Sequence, residues 1–256
     1  MGLKGKIVFI TGASAGIGAA TALAFGAEGA RLLLAARRAG KLAEVASKAL
    51  AAGAEAVHSI DLDVRNRQAV QRAIDDLPPE WAEIDILVNN AGLSRGMEKL
   101  YTGKIEDWEE MIDTNIKGML YVARAVVPGM VVRRRGHVVT IGSMAGEIVY
   151  PNGAVYCGSK AAARAINDGL REDLLGTLVR VTSVDPGLVE TDFSLVRFHG
   201  DAGRAAKVYK GITPLTAEDI ADAILWAVTR PENVNIARVS LTSIDQANTL
   251  LIHREQ

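Results

Sequence analysis

Short apolar runs alternate with helix-length segments along the chain. Ile7–Ile10 is an unbroken apolar run rich in β-branched residues and ended by Thr11-Gly12, which predicts a buried strand. Small and apolar residues then continue at helical length from Gly16 to Phe25. Arg31–Ala36 reads as a second buried strand, and Lys41–Ala52 as a helix that Gly53 closes. Ala56–Leu62 is a strand, Gln68–Leu77 a helix stopped by Pro78-Pro79, and Ile84–Val88 the fourth strand. Trp108–Val127 reads as one long helix ending near Pro128, followed by a fifth strand at His137–Ile141. Ala154–Leu175 is a helix, Arg180–Val184 the sixth strand, Ile220–Val228 a helix and Val239–Leu241 the last strand.

Strands without polar alternation are buried on both faces. Interleaved with helices, they predict an α/β fold, a doubly wound parallel sheet with helices on both sides. No linker or repeat interrupts the pattern, so residues 1–256 are expected to form a single domain. The exception is the long, polar, glycine-punctuated stretch 187–214, which reads as a lid over a site.

Composition narrows the function classes. At 49% hydrophobic and 23% charged residues, the chain is neither disordered nor fibrous. A net charge of −1 supplies no field to recruit nucleic acid or anionic lipid, and the basic triplet Arg133–Arg135 reads as solvated surface. The single cysteine, Cys157, excludes an internal disulfide and fits a reducing, cytoplasmic setting. The four histidines share no ligand spacing, so no metal site is expected. Ile7–Ala27 is uncharged and follows Lys4 and Lys6, which superficially suits a signal peptide or membrane span. Its four glycines with Thr11, Ser14 and Thr21 make it instead a strand, a turn and a helix, and no membrane partner is expected.

The turn Thr11-Gly12-Ala13-Ser14-Ala15-Gly16-Ile17-Gly18 lies between that strand and helix. Backbone without Cβ can approach a pyrophosphate closely, and a helix N-terminus offers free N–H groups. The spacing is G-x3-G-x-G rather than the commoner G-x-G-x-x-G. At the end of the second strand, dinucleotide folds often place a carboxylate for the ribose 2′-OH. Here the chain has Ala36 followed by Arg37 and Arg38, two guanidiniums that suit a 2′-phosphate, with the Ser14 hydroxyl as a third donor.

Over essentially its full length, the chain resembles the short-chain dehydrogenase/reductase family. The motifs occur in order: Thr11, Gly12, Gly16 and Gly18; Asp63-Val64; Asn89-Asn90-Ala91-Gly92; Asn115; Ser143; Tyr156-x3-Lys160; and Pro186-Gly187 with Thr191 beyond. The resemblance implies a Rossmann-type sheet of about seven strands, a nicotinamide cofactor and a homotetramer. It also implies Asn115, Ser143, Tyr156 and Lys160 as catalytic residues. Cofactor contacts are expected from Gly12, Ser14, Gly16, Ile17, Gly18, Arg37, Arg38, Asp63, Val64, Asn89, Ala91 and Gly92. Tyr156, Lys160, Pro186, Gly187, Val189 and Thr191 complete that set.

Tyr156 and Lys160 are four apart and share a helix face. A nearby ammonium favours the phenolate, which can then accept an alcohol proton. Ser143 would hydrogen-bond the same oxygen, and Asn115 is carried over as a residue that holds a water on a proton path to Lys160. Cys157 has no histidine near it in sequence and reads as packing, and Ile141-Gly142 before Ser143 does not form a G-x-S-x-G elbow.

The segment from Pro186 to Asp201, with the stretches at 208–209, 214–219 and 234–236, resembles the NADP-dependent 3-hydroxy acid branch, which includes serine and L-allo-threonine dehydrogenases. Such a substrate needs a cation for its carboxylate, and Arg197 and Arg95 are the candidates. The competing readings are a 3-oxoacyl-thioester or broad carbonyl reductase and, outside the enzymes, an NADPH-binding regulator. A regulator has no need of all four catalytic residues.

Overall fold

The computed structural model describes residues 2–255. In chain order the elements are β1 (Ile7–Thr11), α1 (Gly16–Ala27), β2 (Arg31–Ala36), α2 (Ala39–Ala52), β3 (Ala56–Asp61), α3 (Arg67–Asp75), β4 (Ile86–Asn89), α4 (Ile105–Ile112), α5 (Met119–Arg133) and β5 (Gly136–Ile141). There follow α6 (Ala154–Asp173), β6 (Val179–Pro186), α7 (Phe193–Arg197), α8 (Ala202–Tyr209), α9 (Ala217–Val228) and β7 (Arg238–Leu241).

The strands form one seven-stranded parallel sheet in the order β3-β2-β1-β4-β5-β6-β7. Alternation along each strand divides the core in two. Val8, Ile10, Leu32, Leu34 and Val88 face Phe25, Leu42, Ile220 and Ile224 on one side of the sheet. Ile7, Phe9, Leu33, Leu87 and Val138 face Val70, Val122, Val126 and Met130 on the other. Both faces being covered explains why these strands are apolar throughout. The chain winds outward from β1 to β3, then crosses to β4 on the opposite side of β1. That reversal opens a crevice beyond the carboxyl ends of β1 and β4, where ligands bind in open α/β sheets.

Four expectations change. The segment read as one helix over Trp108–Val127 is α4 and α5 joined by a wide π turn at Asp113–Gly118. Nor does Pro128 end the helix: α5 runs through it to Arg133 and is closed by Arg134, whose φ is 52°. Proline removes the donor for the carbonyl four residues earlier, but Pro128 and Arg124 both face solvent, where water can satisfy that carbonyl. The stretch 187–214 is also more ordered than its polarity suggested, since it contains α7 and α8. The helix expected from Ile220 starts at Ala217, because Thr216 and Asp219 form a reciprocal capping box.

Candidate active site

A cleft of about 430 Å³ lies at this reversal, lined from the glycine turn, the ends of β2, β4, β5 and β6, α6 and α7. Its floor is locked by Thr11, whose Oγ1 accepts from the Asn90 and Ala91 N–H groups at 3.1 and 3.0 Å. The Asn90 amide returns a bond to the Thr11 carbonyl at 2.8 Å. The turn fits so closely here that glycine is required twice. Gly12 has φ +67°, and a Cβ on it would stand 2.9 Å from the Ala91 Cα; on Gly18 a Cβ would stand 2.5 Å from Asn90 Nδ2. No side chain caps α1, so its first-turn N–H groups remain available to a ligand anion. Gly12, Ser14, Gly16 and Ile17 line the cleft, while Gly18 packs beneath it.

At the β2 end of the cleft, Arg38 Nε and Nη2 both donate to Ser14 Oγ, at 3.2 and 3.1 Å. Arg37 lies alongside, Nη1 3.7 Å from Glu110. Asp63 and Val64 line the same end. Burial pushes the Asp63 carboxyl up, but the hydrogen bonds and charge of Arg65, 2.6 Å away, outweigh it and hold the group below its ordinary range. Two guanidiniums and a hydroxyl next to an uncapped helix, with the Asp63 carboxylate paired to Arg65, fit a phosphorylated dinucleotide.

Ser143, Tyr156 and Lys160 meet at the other end. Ser143 follows β5 and its Oγ accepts from the Ala145 N–H at 3.1 Å. Tyr156 and Lys160 project one turn apart from α6, both buried. Burial pushes the Tyr156 phenol up, while the Arg197 charge and a hydrogen bond with Ser143 pull it down. Burial lowers the Lys160 ammonium to about 8 against the pull of Asp185, and its Nζ donates to the Ile141 carbonyl at 2.8 Å. Asn115 sits in the π turn, a distortion frequent at functional sites. Its side chain is committed to protein: Oδ1 accepts from Leu93 N, and Nδ2 donates to Leu93 O and Ser159 Oγ at 2.8 and 3.0 Å. It therefore clamps the loop after β4 against α6, outside the cleft wall.

Ala91, Gly92, Pro186, Gly187, Val189 and Thr191 line the cleft. Asn89 does not: its amide donates to the Met119 carbonyl at 2.9 Å, toward α5. Neighbouring Asn90 faces the cleft instead. Arg95 lines the cleft, but Nε is held by Glu110 at 2.6 Å and Nη1 by the Val196 carbonyl at 2.6 Å. Arg197 stands behind the wall, with Nε on Ser94 Oγ at 3.0 Å and Nη2 on the Tyr150 hydroxyl at 2.9 Å.

Two site residues escaped the sequence reading. Glu110 gathers Arg37, Arg65 and Arg95; burial raises its carboxyl, but the Arg95 hydrogen bond and the three charges keep it low. Gln246 accepts from the Leu188 N–H at 2.8 Å and so fixes the corner after β6. Nothing in the local sequence marks either one, because each acts through partners 45 or more positions away or on a separate element.

Among the described residues no helix is long and apolar enough to cross a membrane. The short chain dehydrogenase model matches residues 6–200. An NADP-dependent 3-hydroxy acid dehydrogenase of Escherichia coli K12 is 45% identical over 251 residues, covering 97% of this chain and 100% of that protein. One from Schizosaccharomyces pombe is 42% identical over 255 residues, 99% and 98% of the two chains. A structure of the closed form of serine dehydrogenase complexed with NADP+ superposes with a TM-score of 0.90 at 45% identity, covering 98% of this chain and 100% of the other. With a family match over most of its length and relatives aligned end to end, the chain belongs to the short-chain dehydrogenase family.

Proposed function

We propose that the protein is an NADP-dependent oxidoreductase that interconverts the C3 hydroxyl and carbonyl of small 3-hydroxy acids, serine and L-allo-threonine among them. One observation carries this: a single cleft holds Ser143, Tyr156 and Lys160 at one end and the Ser14–Arg37–Arg38 corner at the other. The substrate class is supported by end-to-end identity to NADP-dependent 3-hydroxy acid dehydrogenases.

The glycine turn and the α1 N-terminus would hold the cofactor pyrophosphate, and Ser14, Arg37 and Arg38 the 2′-phosphate. When bound, NADP+ supplies the hydride acceptor. Tyr156 takes the proton of the substrate hydroxyl, or returns it in reduction. Ser143 donates to the same oxygen and fixes its distance from Tyr156. Lys160, anchored on the Ile141 carbonyl, holds an ammonium behind that pair. Asn115 keeps the β4 loop and α6 in register. Among the two candidate carboxylate partners, Arg95 lines the cleft and its Nη2 makes no hydrogen bond to a described residue.

The segment 187–214, carrying α7 and α8, acts in this reading as a lid within the single domain 1–256. We extend the reading to a cytoplasmic homotetramer; exposed Ile112, Leu120 and Trp226 offer apolar surface for assembly. Light scattering during size-exclusion chromatography measures the assembly state.

The deciding experiment offers a panel of 3-hydroxy acids and matched neutral alcohols with NADP+ and NAD+, followed by absorbance of the reduced cofactor. Serine, L-allo-threonine and 3-hydroxyisobutyrate are expected to be oxidised with NADP+, and alcohols lacking the acid poorly. Neutral alcohols or carbonyls outperforming every acid would replace this reading by a broad carbonyl reductase.

A further inference from the structure

We propose that Arg197 is a positioning residue for proton transfer, a cation fixed on the Tyr156 ring that holds this side chain ready to accept the alcohol proton. The inference rests on the assignment of Tyr156 as the proton acceptor.

The geometry comes first. Arg197 ends α7 and is only 9% exposed. Its guanidinium carbon lies 5.2 Å from the Tyr156 ring centre, 5.1 Å from that of Phe193 and 5.8 Å from that of Tyr150. Two neutral hydroxyls, on Ser94 and Tyr150, aim it. Among the described residues it forms no ion pair, since Glu110 is taken by Arg95 and Asp107 faces His199. A guanidinium sealed among three aromatic rings is desolvated, and its charge is then felt strongly by whatever nearby group can become negative.

Tyr156 is that group. From α6 it is faced by Cys157 and Lys160, from the preceding segment by Tyr150, from the turn after β5 by Ser143, and from α7 by Arg197. Burial raises the Tyr150 phenol and the Cys157 thiol as it does Tyr156, and the Tyr150 hydroxyl also accepts a bond from Arg197. Asp192, before α7, is 3.7 Å from Lys41. Lys160 spends its one protein hydrogen bond on the Ile141 carbonyl and shares its surroundings with Asp185. Arg197 is thus the cation in direct contact with the Tyr156 ring. In oxidation the hydroxyl O–H bond breaks, its proton joins the Tyr156 oxygen, and the ring's negative charge opposite Arg197 disappears; reduction reverses this.

The test replaces Arg197 by Met, which removes the charge, and by Lys, which keeps it. Tyr156 is followed directly in protein labelled with 13C at the tyrosine Cζ, its resonance identified by its loss in Tyr156→Phe. An opposite charge within about 4–6 Å moves a pKa by roughly 1–3 units. Arg197→Met should therefore move the Tyr156 titration, and the acid limb of kcat/KM for oxidation, upward by about one unit or more, with about tenfold fewer phenolates per unit. Arg197→Lys should restore most of it. Should Arg197→Met not fold, Tyr150→Phe, which frees one guanidinium bond without touching the charge, should give a smaller upward shift. An unmoved Tyr156 titration in Arg197→Met, or in Tyr150→Phe where that is the protein obtained, overturns the proposal. If KM for the acids rises while the titration stays put, Arg197 is a carboxylate clamp instead. Because the titration needs no substrate, it is independent of whether 3-hydroxy acids are the substrates.

Discussion

Removing the two guanidiniums at the end of β2 should convert a phosphate-selective cleft into an indifferent one. The two do not contribute equally. Arg38 is pre-aimed by paired donors to Ser14 Oγ at 3.2 and 3.1 Å, so it meets a 2′-phosphate without first being ordered. A hydrogen bond to a charged group is worth about 1.5–3 kcal/mol, and Arg38→Ala should lose about that much. The Arg37 side chain is 49% exposed and 3.7 Å from Glu110. Solvent screening limits it to roughly 0–1 kcal/mol. The double variant should lose about 1.5–4 kcal/mol, which at about 1.4 kcal/mol per decade is roughly a 10- to 1,000-fold weaker Kd for NADP+. NAD+, lacking the phosphate, should change by less than about threefold on the same arithmetic. Calorimetric titration of both cofactors into both proteins measures this, and added salt should weaken NADP+ more than NAD+ in the native protein. An equal loss for the two cofactors would show that the arginines only hold the β2 loop, and would remove the reasoning at its root.

Two further outcomes test other parts of the structure. Tyr156→Phe keeps the ring that packs between Arg197 and Phe193, so cofactor affinity and fold should persist while turnover falls roughly 10²- to 10⁴-fold; near-native turnover would reassign the proton acceptor. His137 is buried, with Nε2 2.7 Å from Thr182 Oγ1, and Nδ1 has no partner among the described residues. Burial, reinforced by Arg180, depresses its imidazole to about 3. Below its unfolded pKa of about 6.5 only the unfolded chain takes the proton, so this contribution is intact above about 6.5 and is lost as pH falls toward 3, about 2 kcal/mol of it between pH 7 and 5. Urea unfolding of native and His137→Gln protein at those two pH values checks this, and an equal change in both would exclude His137 as the source.

The fold was largely legible because its signals are local. Arg31–Ala36 is a strand with the bounds its apolar run suggests, and every other strand lies within two residues of its expected range. Parallel strands buried on both faces leave little room for another reading. The errors lie where context outside the window decides. Pro128 is tolerated because the carbonyl it deprives points to water, and that depends on which face of α5 meets the sheet. The π turn at Asp113–Gly118 leaves the hydrophobic pattern nearly unchanged while adding a residue to one turn, so periodicity passes over it.

Side-chain partnership is a different kind of information, and the arginines show why. Sequence identifies Arg37, Arg38, Arg95 and Arg197 as cations but not what neutralises them. Arg95 is paired with Glu110, fifteen positions on, and with the Val196 carbonyl, 101 positions away. Arg197 is 103 positions from Ser94 and 47 from Tyr150. Those distances close only when the sheet reversal brings the loop after β4 against α7. The same packing changes the chemistry assigned to the i, i+4 pair. Helical spacing alone makes Lys160 the charge that prepares Tyr156, yet burial brings the Lys160 ammonium to about 8 and turns it to the Ile141 carbonyl. A second cation, the Arg197 guanidinium, rests on the Tyr156 ring itself. Tyr156 therefore has beside its ring a cation supplied by α7 rather than by the helix that carries it.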